Sequence, residues 1–366
     1  VRIVHCIHGL SLAGAQQVIR HVIEGSDRER FRYFVYAHLD GPLRPEIERA
    51  GATVRLIHRR LPLFDPAWAW ALRRAMVDDR IDVVHTHLFG DSLHGFLAAR
   101  AAGRLPVVTT LHSHHGGEPP LRRWGYARLL PRMDRVVACS KSSYRSYDAA
   151  FGGRLDLRKI VNGIPPAPEI ESTAGSDLVE PDMKTIVTVG RQSPEKGLDD
   201  LLRAFALLDP AKVGEVRLVL VGDGPLRGEL EALARELSIA SRVRFAGLRT
   251  DVRQILPRFE LAAFSSHFEG LPIAVLEAMA AGRAIVATDA EGIADCVAHG
   301  REALLAPRRD PAALARALEE VLGDADLRRR LGEAARERFE REFRAERMLR
   351  AYEDLYLEVV ASRGTA

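Results

Sequence analysis

TIVTVGRQSPEKGLDDLLRAF, Thr185 to Phe205, holds three signals in one short stretch. An apolar run ends at Val189, a loop carries Gly190, Arg191 and Lys196, and Leu198, Leu201, Leu202 and Phe205 then recur at the spacing of one helix face. Strand, loop and helix in that order form the repeating unit of a parallel α/β sheet, in which the loops at the C-terminal edge present side chains to ligands. Two cations on such a loop suit a diphosphate. They would stabilise negative charge growing on a departing phosphate more than they stabilise the ground state.

The same alternation runs along most of the chain. VRIVHCI, YFVYAHL, TVRLI, DVVHTH, PVVTTLH, RVVACS and KIVNGI punctuate residues 1–164, and TIVTVG, RLVLVGDG, RVRFAG, LAAFSS and AIVAT follow Met183, with helical periodicity between. The proline-rich stretch from Pro165 to Met183 reads as a linker. At 366 residues the chain is long enough for two ordinary cores. The expectation is two Rossmann-like domains, 1–165 and 184–345, joined by a linker at 166–183. From Pro311 to about Val360 nearly every residue is a helix former, which predicts terminal helices, the last over 346–366. No repeat of 20 to 50 residues is present.

Net charge is only +3, but it divides unevenly: residues 1–175 carry 25 Lys and Arg against 17 Asp and Glu, and residues 176–366 carry 28 against 33. A basic first half attracts anionic partners such as lipid headgroups or phosphorylated acceptors, and a solvated arginine-rich surface explains it equally well. No nucleic-acid module is present. Cys6, Cys139 and Cys296 are widely spaced within apolar runs, a pattern of neither a disulfide framework nor a zinc site, and it fits a reducing cytosol. The charge-free run Ile3–Ile19 is broken by histidines, glycines and glutamines, which suits neither a signal segment nor a membrane span. The expected location is cytoplasmic, at most peripheral at the inner face of a membrane.

The strongest chemical signal is FSSHFEGLPIAVLEAMAAG, Phe264 to Gly282, where Glu269 and Glu277 are separated by seven residues across a loop-to-helix junction. Pro272 suits a first helical turn, so unpaired amides near Gly270 and Leu271 would face a phosphate or sugar hydroxyl, with Glu277 about one turn inside. Its carboxylate could accept from both hydroxyls of a ribose. Glu269, in the loop, could do the same for a hexose or orient the amides.

This passage resembles glycosyltransferase family 4, whose signature is two glutamates with seven residues between them, within EGxP and EAMAxG. The resemblance covers nearly the whole chain, densely from Val189 to Val297. It implies the GT-B architecture, two Rossmann-like domains facing across a cleft, with a last helix crossing back to the first. It assigns Glu269 to the donor sugar, Glu277 to the ribose, and Arg191 and Lys196 to the diphosphate. GDGPL supplies a turn at Gly222 close to the nucleotide, and FAGLRTDV, including Leu248, supplies groups bracketing the base. In the first half, Gly14 opens a helix where an amide can meet the donor phosphate; the family has two adjacent glycines, whereas this chain has Ala13 and Gly14. His112 matches the family's cleft histidine after the fifth strand, which contacts the donor sugar near the reacting carbon, and the resemblance places it with Arg191, Lys196 and Glu269 among the catalytic residues. His87 is expected on the acceptor side, and His85 as a packed histidine as readily as a functional one. Together with His114 and His115 these invite a metal reading, but no carboxylate or cysteine stands at ligand spacing, and the family needs no bound metal. No metal and no cofactor are expected.

The implied activity is retaining transfer of a hexose-type sugar from a nucleotide sugar, UDP being the commonest carrier, to a hydroxyl of a glycan or glycolipid in bacterial envelope or exopolysaccharide synthesis. Acceptor choice would reside in loops 58–69 and 113–121. Residues 59–74 and 119–135 mix arginines with Trp, Tyr and Leu, a composition suiting an anionic membrane surface or, equally, core-packing helices with solvated arginines. The alternatives are a GT-B-type nucleotide-sugar epimerase or hydrolase, for which isomer formation without acceptor would be the discriminating observation, and a silent nucleotide-sugar-binding partner of another transferase.

Overall fold

The computed structural model describes residues 1–61, 64–168, 175–179 and 183–363. The chain divides into two compact units, Val1–Pro165 with Ala345–Ala366, and Pro166–Arg344. Among the described residues the first holds seven parallel strands: β1 (Arg2–Gly9), β2 (Arg32–Leu39), β3 (Thr53–Leu56), β4 (Val83–Thr86), β5 (Val107–Leu111), β6 (Arg135–Ala138) and β7 (Leu157–Lys159), in the order β3-β2-β1-β4-β5-β6-β7. The second holds six: β8 (Lys184–Val189), β9 (Val216–Val221), β10 (Val243–Gly247), β11 (Leu261–Phe264), β12 (Ala284–Thr288) and β13 (Ala303–Ala306), in the order β10-β9-β8-β11-β12-β13.

Central strands such as VVTTL of β5 and AIVAT of β12 are buried along their whole length, because helices cover both faces of the sheet and no alternating polar face is needed. The helix Leu198–Ala206 buries Leu198, Leu201, Leu202 and Phe205 in a core shared with Ile186, Leu218 and Leu220. Side chains of this size each contribute roughly 1.5–3 kcal/mol when fully buried. In each sheet the order reverses once, between β1 and β4 and between β8 and β11. Loops leaving those two strand ends lead to helices on opposite faces, which opens a crevice at the C-terminal edge.

Several elements differ from the sequence reading. KIVNGI is not a strand: β7 ends at Lys159, and although the Ile160 and Asn162 N–H groups still reach the Ala138 and Cys139 carbonyls, Pro165 and Pro166 have no N–H with which to continue a ladder. β13, with the sequence ALLA, escaped the pattern because its short run has neither alternation nor a β-branched residue. Of the expected linker, residues 169–174 and 180–182 lie outside the described residues. Gly175–Leu178 is a turn on the second unit, with Leu178 buried and Asp177 paired to Arg244 and Arg249. The terminal helical stretch is three helices, Pro311–Gly323, Ala325–Glu342 and Ala345–Arg363. Asp324 separates the first two and caps the second by accepting from the Leu327 N–H. The last packs within the first unit, where Glu358 pairs with Arg135 and Arg158. Among the described residues no helix is long and apolar enough to cross a membrane.

Candidate active site

In the second unit the two motifs singled out from sequence leave neighbouring strands on either side of the reversal, GRQSPEKG after β8 and SSHFEG after β11. The Lys196 ammonium donates to Oε1 of Glu269 at 2.6 Å, and the Ser266 hydroxyl donates to the same oxygen at 2.7 Å. The pair is largely shielded, with side-chain exposures of 23% and 12%. Oε2 of Glu269 has no partner among the described residues. One oxygen therefore fixes the carboxylate and the other remains for a ligand hydroxyl.

The two loops are locked by their backbones. The His267 N–H donates to Glu195 O at 2.9 Å, the Ser265 hydroxyl donates to Lys196 O at 3.0 Å, and the His267 ring meets Asp200 at 2.8 Å. Gly197 takes φ +54, and a Cβ there would overlap the Ser265 carbonyl oxygen, so only glycine lets the loops approach. Arg191 is exposed and forms no ion pair among the described residues. Its guanidinium is open to an anion.

The helix begins one residue later than expected: Pro272 is the N-cap and Ile273–Ala280 the helix. The Val275 and Leu276 N–H groups bond back to Pro272 O, so the N–H groups of Ile273 and Ala274 lie at the open end, with those of Gly270 and Leu271 ahead of Pro272, which has none. Glu277 lies one turn inside. Ile273, Val275, Leu276 and Ala278 to Ala280 are buried, whereas Ala274 and Glu277 are partly exposed at i, i+3 spacing, so the carboxylate is on the helix's one accessible stripe.

Gly222 plays a structural part. Its N–H donates to Gly247 O at 2.8 Å, its carbonyl accepts from the Gln192 side chain at 3.0 Å, and a Cβ would run into Gly190 O. Its N–H and its carbonyl are both engaged within the protein, and it holds the Gly190–Gln192 loop against the end of β9. Leu248, 61% exposed, follows Gly247 at the end of β10. The sequence reading missed Ser266, and also Gly292, where a Cβ would strike the Glu269 and Gly270 carbonyls. The Ser266 hydroxyl three residues before Glu269 was the available signal; nothing local marked Gly292, which lies in a separate helix.

In the first unit, Gly14 is the exposed first residue of the helix Gly14–Gly25, and Ala13 before it has φ −95 and ψ 163, an extended conformation that needs no glycine. The missing first glycine of the family pattern therefore costs the loop nothing here. His5 of β1 pairs in register with His85 of β4, and His87 projects from the same face two residues on. His5 Nδ1 lies 2.9 Å from His87 Nε2, and His87 Nδ1 lies 3.0 Å from His112 Nε2. His85 is held separately, by Tyr356 at 2.7 Å and Thr110 at 2.8 Å. Burial drives all four pKa values down, to about 3 for His5 and about 4 for His112, so the imidazoles are neutral at pH 7. His87 is 1% exposed and does not line an acceptor surface as expected; the half-buried His112 stands between it and solvent. His114 is also buried and meets Ser142 at 2.9 Å.

His5, His85 and His87 each bring a ring nitrogen within 4.8 Å of the others, a donor set that a divalent ion could use. Both nitrogens of His85 and both of His87 are already engaged, so an ion would have to displace those hydrogen bonds.

Residues 12–167 match the family model described as Glycosyltransferase Family 4, and residues 171–338 the model described as Glycosyl transferases group 1. The lipopolysaccharide core biosynthesis glycosyltransferases LpsD and LpsE of Rhizobium meliloti (strain 1021) are 34% identical over 87% of this chain and 88% of theirs, and 35% identical over 70% and 74%. N-acetyl-alpha-D-glucosaminyl L-malate synthase of Bacillus anthracis is 28% identical over 82% and 80%. Among solved structures, Anabaena Alr3699/HepE in complex with UDP and glucose superposes with a TM-score of 0.88 at 21% identity, over 98% of this chain and 99% of that one, a likeness of fold. With its two parallel α/β units, both family models and a relative of this identity along most of its length, the chain belongs to glycosyltransferase family 4 and is a glycosyltransferase of the GT-B fold.

Proposed function

We propose that the protein transfers a hexose from a UDP-sugar, with retention, to a hydroxyl of a glycan or glycolipid acceptor in bacterial envelope or exopolysaccharide synthesis. The observation that carries this reading is the Lys196–Glu269 pair beside the open Arg191, which presents a cation for a diphosphate next to a carboxylate for a sugar hydroxyl. UDP is favoured by the complexes of Alr3699/HepE with UDP and UDP-glucose, and the envelope role by the two lipopolysaccharide-core relatives.

In this mechanism the bond from the anomeric carbon to the diphosphate breaks as the acceptor oxygen bonds to the same face, and the acceptor's proton passes to the leaving phosphate. Arg191 and Lys196 hold the charge that develops, supplying the stabilisation that a metal ion provides in other transferases, so no metal is required. Glu269 holds a sugar hydroxyl through Oε2 and Glu277 the ribose. Epimerase or hydrolase chemistry is not favoured, because the relatives that match along most of the chain are glycosyltransferases.

The same proposal places the chain against an anionic membrane on the cytoplasmic side. Trp70 and Trp124 are 63% and 58% exposed, with Arg73 and Arg128 over their respective rings. Amphipathic pairs of this kind suit a headgroup layer. Part of the acceptor loop 58–69, Pro62 and Leu63, lies outside the described residues.

The test is a thermal-shift panel of UDP, GDP and ADP with their sugar conjugates, on the wild type and on Glu277→Ala, followed by product analysis with the best donor. Stabilisation by UDP and its sugars, lost in the variant, is expected. No response to any nucleotide would overturn the reading. Co-sedimentation with anionic vesicles at low salt tests the membrane part, and absence of binding would remove it.

A further inference from the structure

His5, His87 and His112 form a line of imidazoles that starts inside the first sheet and ends at its C-terminal edge. Each neutral imidazole carries one proton on one of two nitrogens, and the hydrogen bonds decide which. Two arrangements give both bonds. In the first, His5 Nδ1–H donates to His87 Nε2, and His87 Nδ1–H donates to His112 Nε2, so the proton of His112 sits on Nδ1. In the second, every bond reverses: His112 Nε2–H donates inward, His87 Nε2–H donates to His5 Nδ1, and His5 carries its proton on Nε2.

The arrangements differ at the ends of the line. His5 Nε2 is sealed and has no hydrogen-bond partner. The second arrangement would strand an N–H there, whereas the first leaves an unfilled lone pair. Orphaned buried N–H groups are the rarer fault in folded proteins. At the other end, His112 Nδ1 has no partner among the described residues, and the residue is half-buried. An N–H at that nitrogen can meet a ligand oxygen.

We propose that His5 and His87 are positioning residues that fix His112 as its Nδ1–H tautomer, presenting a neutral hydrogen-bond donor to a substrate hydroxyl or phosphate oxygen. Aligned N–H dipoles polarise one another, so the terminal N–H is a stronger donor than that of an isolated imidazole. Burial keeps the line neutral, with the pKa of His112 pushed down to about 4, so His112 donates a hydrogen bond without taking up a proton. His85 stands outside the line. Its two nitrogens go to Tyr356 and Thr110, and Thr110 meets Tyr352 at 3.1 Å, so the last helix clamps His85 and leaves His5–His87–His112 as a single row. The use of the donor rests on the transferase reading; the tautomer does not.

The experiment is a two-bond 1H–15N spectrum of the full chain labelled with 15N-histidine, without ligand, at neutral pH. Loss of one ring's signals in His112→Gln identifies that residue. The wild type should show His112 protonated on Nδ1. In His87→Leu, His112 should move toward the Nε2–H form that a solvated imidazole prefers, and kcat should fall about tenfold with KM little changed. His87→Asn keeps an amide N–H close to the place of Nδ1 and should restore both the tautomer and most of kcat. A wild-type His112 protonated on Nε2 overturns the proposal, as does a His87→Leu protein in which neither tautomer nor kcat moves. If His87→Leu does not fold, the wild-type spectrum decides alone. If the chain transfers no sugar from any donor, the spectrum still decides the tautomer, so failure of the transferase reading and failure of this one are distinguishable.

Discussion

Replacing Lys196 with alanine separates a catalytic cation from a structural ion pair. The ammonium lies 2.6 Å from Glu269 Oε1, with side-chain exposures of 23% and 12%. The pair thus sits between the surface case, about 0–1 kcal/mol, and the buried case, where removing one partner costs about 3–5 kcal/mol. The Ser266 hydroxyl still holds the stranded carboxylate, so a stability loss of roughly 1–2 kcal/mol is expected. For a unit of this size that is a fall in Tm of about 2–8 °C. The catalytic loss should be larger. Removing a preorganised group that meets charge developing in the transition state costs about 10²–10³ in kcat, or 2.7–4 kcal/mol. The assay is initial-rate transfer from the donor found by thermal shift, with Tm measured on the same preparations. A kcat within threefold of wild type beside a clear fall in Tm would refute the catalytic role and reduce the lysine to a structural partner of Glu269. Lys196→Ala combined with Glu269→Gln should recover much of the lost Tm, because it removes the stranded charge, but none of the kcat.

Gly222→Ala should destabilise the second unit by about 3 kcal/mol or more, since the residue has φ +127 and its Cβ would collide with backbone; the check is the denaturation midpoint, and a loss under about 1 kcal/mol contradicts the geometry. Folding stability should fall as pH drops from 6.5 toward 4, because the unfolded chain protonates His5 and His112 there while the native state, with both pKa values depressed, does not; above 6.5 these groups contribute no pH dependence. His5→Phe should remove about one proton, some 1.4 kcal/mol per pH unit, from that slope, and a slope unchanged from wild type would disprove the assignment. Transfer should persist after exhaustive treatment with EDTA, and loss of activity restored by a divalent ion would place a metal in the reaction or in the His5–His85–His87 cluster.

Much of this protein was legible from local pattern. The apolar runs marked strands because a sheet covered on both faces demands them, and the spacing of Glu269 and Glu277 across a loop-to-helix junction marked the candidate site, since that spacing and its EGLP and EAMAAG frame are local properties of the chain. What the one-dimensional string could not contain was distance between remote residues. That Lys196 meets Glu269, that the glycine at 222 packs against the loop at Gly190, and that His87 is enclosed between His5 and His112 all follow from strand order and register. β8 lies beside β11, and β1 beside β4, only because parallel strands are joined by helical crossovers that reverse direction once per sheet, and the groups at those reversals become neighbours through the packing of the whole unit.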